Sequence, residues 1–135
     1  MTRQEVISNI RQTLGSSPDW LTQFPDQLLE HVWDSVRDFQ LGQTTIPNKY
    51  KELMGLAVAA QMQCPYCVYF HREAAKFWGA SETEIQEALS MAMLTAGLSS
   101  YIAGSGYDVA KFKQETDKVL EHVRSQAKGP AQRAA

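Results

Sequence analysis

The chain has 135 residues, 44% hydrophobic and 21% charged, with a formal net charge of −2 and a pI near 5.9. That is the length and composition of one globular domain, and its balance of charge leaves no basic footprint for nucleic acid or an anionic membrane surface. No stretch is long and apolar enough to span a bilayer, and the opening Met1-Thr2-Arg3-Gln4-Glu5-Val6 lacks the apolar run of a signal peptide, so a reduced, cytoplasmic setting is expected.

In chain order the sequence reads as helix after helix, an all-α class. Thr2 caps a first segment whose Val6, Ile10 and Leu14 recur every four residues, ending at Gly15. A short piece with Trp20, Leu21 and Phe24 follows Pro18. Residues 26 to 41 then carry Leu28, Leu29, Val32, Trp33, Val36 and Phe39 on one broad face, closed by Gly42. Pro47 opens the next helix, which contains Glu52, and another follows Pro65. Trp78-Gly79-Ala80 ends that one, and Ser81-Glu82-Thr83-Glu84 is a capping box for its successor. The glycines at 97, 104 and 106 are expected to break the pattern before an amphipathic helix from about Val109 to Arg124. A single domain over 1–127 is expected, with N-terminal helices at 2–41, a redox core at 46–104 and the C-terminal helix at 109–124; 128–135 reads as a disordered tail. No strand run and no internal repeat occur.

The chemistry concentrates in one place. Only two cysteines occur, Cys64 and Cys67, and His71 follows four residues later. On a helix beginning at Pro65, where the missing N–H costs nothing, Cys64, Cys67 and His71 fall on one stripe. Cys64 then stands at the N-cap or just before it, where unpaired N–H groups and the positive end of the dipole favour thiolate, the reactive form. His71 is placed to take a proton from Cys67 or pass it on. Helix position favours Cys64 as the attacking sulfur, and nearness to His71 favours Cys67. Glu52, twelve residues before Cys64, reaches His71 only through a tertiary fold-back. The mostly small residues Gly55-Leu56-Ala57-Val58-Ala59-Ala60 allow two helices to approach closely enough for it.

The pattern Glu52-x11-Cys64-x2-Cys67-x3-His71 resembles the alkyl hydroperoxidase D-like (AhpD-like) branch of the carboxymuconolactone decarboxylase family over roughly residues 46 to 104. The resemblance implies an AhpD-like helical domain of about six helices that assembles into homotrimers or hexamers. It implies a dithiol peroxidase or disulfide-reductase site, the former reducing organic hydroperoxides through a Cys64–Cys67 dithiol/disulfide cycle, with Glu52 and His71 as a proton relay. A lipoyl-bearing or thioredoxin-like dithiol protein would be the reductant, and no cofactor is implied. Some members carry a histidine between the cysteines where this chain has Pro65 and Tyr66, a departure that bears on substrate and reductant preference.

Rival readings are weaker. A disulfide across two residues closes almost no loop and so stabilises little. Two cysteines, one histidine and one glutamate make an unusual structural zinc set, so no metal is expected. Cys64-Pro65-Tyr66-Cys67 also matches a glutaredoxin tetrad, but no strand precedes it and Pro130 is the only later proline. A non-enzymatic redox sensor, a disulfide oxidoreductase and a lactone-decarboxylating enzyme complete the alternatives. His31 and His122 read as surface residues, and the methionines as core or interface filler. Residues 88 to 103 are apolar enough to suggest burial in a homo-oligomer.

Overall fold

A computed structural model describes residues 1–127. They form seven α-helices and one π-helical segment and, among the described residues, no strand. The all-α expectation holds, with the short Trp20 piece counted as a helix of its own. The tail expected at 128–135 lies outside the described residues.

The N-terminal core forms because local caps and apolar spacing agree. Helix α1 (Arg3–Leu14) starts with the Thr2–Glu5 capping box, stops at Gly15 with φ 76°, and buries Val6 and Ile10. Helix α2 (Asp19–Thr22) contributes Leu21, and α3 (Asp26–Asp34) contributes Leu29 and Trp33. These five side chains form one core, each worth roughly 1.5–3 kcal/mol of apolar burial. The indole N–H of Trp33 donates to Asn9 Oδ1 at 2.7 Å, so the buried ring leaves no polar group unpaired.

Residues 26–41 do not form the one regular helix expected. After Asp34 the ladder widens into a π segment, Ser35–Gln40, and the Leu41 N–H donates five residues back to the Val36 carbonyl at 2.9 Å. The wider turn shifts the register of side chains. Phe39, expected on the buried face, is 66% exposed, and Leu28 is also exposed. Gly42 permits the exit: a Cβ there would come within 2.3 Å of the Asp38 carbonyl oxygen. The loosened carbonyls are then capped from the next helix. Lys51 Nζ donates to the Phe39 and Gly42 carbonyls at 2.6 and 2.8 Å, and Asn48 Nδ2 to the Leu41 carbonyl at 2.8 Å.

Helix α4 (Asn48–Met62) follows Pro47, and α5 (Pro65–Phe77) follows a two-residue turn. The two pack side by side over a second core of Leu56, Ala75, Ala80 and Ile85. Helix α6 (Glu82–Gly104) begins with the expected capping box: the Ser81 N–H donates to Glu84 Oε2 at 2.8 Å and the Glu84 N–H to Ser81 Oγ at 3.1 Å. An ion pair from Lys49 to Glu84 at 2.8 Å ties α4 to its first turn. Gly97 does not break α6, contrary to the sequence pattern; an interior glycine costs about 1 kcal/mol relative to alanine, which 23 residues of helix absorb. The chain turns instead at Gly106, with φ 68°, into α7 (Val109–Ala127).

The described residues cluster into two compact units, Met1–Ala92 and a second beginning at Met93. The four chemistry-bearing residues belong to the first. Met91, Met93, Leu94, Leu98 and Tyr101 on α6 are all exposed in the single chain.

Candidate active site

The turn between α4 and α5 is made by Gln63, the one non-glycine residue with positive φ among the described residues (φ 53°, ψ 38°). It delivers Cys64 in an extended conformation to the N-cap of α5, with Pro65 at the first helical position. Cys64 Sγ accepts the backbone N–H of Cys67 at 3.4 Å, as an N-cap oxygen would. That backbone N–H, seconded by the Cys67 thiol and the Tyr66 N–H, holds the Cys64 thiol below the usual range. Cys67 moves the opposite way: its hydrogen bond to Cys64, with some desolvation, pushes its thiol up. Both are free thiols, Cys67 the more exposed. The contact between them thus favours charge on Cys64 and disfavours it on Cys67.

Two turns into α5, His71 meets Glu52 of α4. Glu52 Oε2 lies 2.6 Å from His71 Nδ1; the carboxylate side chain is fully buried and the imidazole 21% exposed. With Glu52 ionised, Nδ1–H donates to it, leaving Nε2 as the nitrogen that can exchange a proton. Glu52 Oε1 is buried without a partner among the described residues. A carboxylate in that condition is expensive to keep unpaired, so the His71 contact is what makes its burial tolerable.

Gly55 sits one turn along α4 from Glu52, and the imidazole lies against it. A Cβ there would fall 2.5 Å from His71 Cε1 and 2.6 Å from Nδ1. Phe70 stands edge-on to His71 at 5.5 Å between ring centroids, and Trp20 edge-on to Phe70 at 6.5 Å. The structure therefore joins Cys64 to Cys67 and Glu52 to His71; among the described residues no hydrogen bond links the two pairs. No three His, Cys, Asp or Glu side chains among them form a metal-holding group, and His31 and His122 are exposed. Sequence reasoning treated Gly55 only as one of several small residues. It did not find Lys51, whose position beside Glu52 gave no hint of its capping role.

Comparison with known proteins bears on the family and the fold. The model of the carboxymuconolactone decarboxylase family matches residues 23–107. The chain belongs to that family. An alkyl hydroperoxide reductase of Mycobacterium tuberculosis is 34% identical to this family member over 88 residues, which is 63% of the chain but 24% of the relative. The family member thus spans about a quarter of the length of that curated relative. The crystal structure of the alkylhydroperoxidase AhpD core from Rhodospirillum rubrum superposes with a TM-score of 0.68 at 24% identity, covering 79% of this chain and 82% of that one. The fold of this family member is that of the AhpD core. No described helix is long and apolar enough to cross a membrane.

Proposed function

We propose that the chain is a thiol-dependent peroxidase that reduces hydroperoxides through a Cys64–Cys67 dithiol/disulfide cycle, with Glu52 and His71 relaying protons. The observation that carries this reading is the capping of Cys64 Sγ by the Cys67 N–H, which favours a thiolate at the surface. The name of the mycobacterial relative, an alkyl hydroperoxide reductase, supports it.

In the first step a thiolate attacks the terminal oxygen of ROOH. The S–O bond forms, the O–O bond breaks with its electron pair leaving on RO⁻, and sulfur becomes a sulfenic acid. RO⁻ takes a proton by way of His71 and leaves as the alcohol; Glu52 orients the imidazole and balances its charge when it is protonated. The second thiol displaces water from the sulfenic acid, forming the Cys64–Cys67 disulfide. A dithiol reductant, lipoyl-bearing or thioredoxin-like by family resemblance, returns two electrons and two protons by thiol–disulfide exchange.

The N-cap contact favours charge on Cys64. Cys67 is more exposed and one turn before His71, so passing its proton to His71 moves the nucleophile there. Peroxide-dependent sulfenic acid trapping in Cys64→Ser and Cys67→Ser decides between them; equal trapping in both sinks either single assignment. The exposed apolar residues of α6 support a homo-oligomer, a trimer or hexamer by the same resemblance.

The first test is intact mass against time after adding organic hydroperoxide to reduced protein, beside a lipoamide- or dithiothreitol-fed turnover assay. Rapid loss of two hydrogens with repeated turnover is expected. Slow stoichiometric oxidation without turnover would instead mark a redox sensor, and activity surviving loss of both cysteines would mark a lactone-processing enzyme.

A further inference from the structure

His71 has a second neighbourhood that the dithiol chemistry does not use. Its ring forms part of an open groove of about 370 Å³, lined also by Val36, Phe39, Ile46, Lys51 and Met54. That volume lies at the low end of the roughly 300–1,000 Å³ typical of small-molecule sites. One wall is the π segment, and such segments concentrate at functional sites. Three large apolar side chains, Phe39, Ile46 and Met54, are 66%, 45% and 48% exposed, yet all converge on this groove rather than scattering. Phe39 lies within the π segment itself.

Resting on the peroxidase reading, we propose that this groove seats the organic substituent of the hydroperoxide and that Phe39, Ile46 and Met54 set which substituents are accepted. The charge pattern fixes the orientation. Cleavage of the O–O bond develops negative charge on the oxygen next to the substituent. In the groove that oxygen meets His71, and also Lys51, whose ammonium donates to two carbonyls and has no carboxylate partner among the described residues. The apolar body then lies along Phe39, Ile46 and Met54, with the peroxide end at His71. Hydrogen peroxide has no body to place there. The groove therefore discriminates by the substituent, and a compact aryl or branched alkyl group suits its size.

The test pairs binding with turnover. The probe is 2-phenyl-2-propanol, the alcohol product of cumene hydroperoxide, titrated into the reduced 135-residue chain and followed by the Met54 methyl and His71 ring resonances. Both are expected to shift in the native protein, and the probe is expected to bind at least several-fold more weakly to Met54→Glu and Phe39→Ser. Both substitutions fall at exposed positions, so folding is readily verified. The ratio of kcat/KM for cumene hydroperoxide to that for hydrogen peroxide should fall about tenfold in each variant, the low end for altering an apolar pocket. Absence of probe shifts in the native protein overturns the assignment, as does a ratio that stays at the native value. Probe binding with neither peroxide consumed overturns the peroxidase reading itself and leaves the groove an apolar ligand site.

Discussion

The imidazole of His71 lies against the bare backbone of Gly55, close enough that a Cβ would sit 2.5 Å from the ring. The same closeness brings Nδ1 to 2.6 Å from Glu52. Substituting Gly55→Ala should improve helix propensity by about 1 kcal/mol, yet the displaced ring would abandon a buried carboxylate at a cost of roughly 1–3 kcal/mol. The second effect is expected to win. Gly55→Ala should fold, melt below the native protein and show displaced His71 ring resonances by NMR, with reduced peroxide turnover. A variant more stable than the native protein, with its His71 ring resonances unmoved, would falsify the seating argument.

Glu52→Gln keeps the shape of the side chain and removes its charge. An amide can still hydrogen-bond Nδ1, but it does not balance a protonated imidazole. Peroxide turnover is expected to fall by about 10²–10⁴, the usual contribution of a general acid–base group. Circular dichroism should stay native. Full activity would reduce Glu52 to a structural residue, the commoner role for a helix glutamate.

Much of this arrangement was legible in the sequence, for identifiable reasons. Proline at the first helical position and a serine–glutamate capping box are local signals, and both Pro65 and Ser81 stand where they imply. The Cys64–Cys67 spacing likewise fixes a local geometry. The π segment was not legible, because the apolar spacing of residues 26–41 suits a regular helix and a single widened turn leaves no periodic trace. Its stabilisers, Lys51 and Asn48, act from another helix through tertiary contacts. Gly55 was visible only as one small residue among several, since its contact to His71 exists only once α4 and α5 pack. Gly97 misled for the opposite reason: local propensity suggested a break that the rest of a long helix overrides.

The two thiols should titrate apart. The Cys67 N–H and thiol, then the Tyr66 N–H, stabilise charge on Cys64 and lower its pKa, while the same contact raises that of Cys67. As pH rises, Cys64 therefore becomes thiolate before Cys67. Iodoacetamide labelling followed by peptide mass analysis should show Cys64 alkylated faster near neutral pH. In Cys64→Ser the sulfur that holds the Cys67 proton is gone, so the alkylation midpoint of Cys67 should drop toward the ordinary value. Faster labelling of Cys67 in the native protein would refute the capping argument.

Lys51 offers a test of how the groove wall is held. In Lys51→Met two charge-assisted hydrogen bonds disappear, each worth about 1.5–3 kcal/mol, but so does the several-kcal/mol desolvation of a buried ammonium. These oppose each other at the global level, so the midpoint of unfolding should move little. Locally nothing offsets the loss, because the Phe39 and Gly42 carbonyls belong to a segment already short of regular helix bonds. Amide hydrogen exchange over residues 35–42 is expected to accelerate at least tenfold, equivalent to about 1.4 kcal/mol of local opening, while α1 and α3 keep their protection. Unchanged exchange in that segment would mean that the π turn is held by its own backbone rather than by the reach of Lys51 from α4.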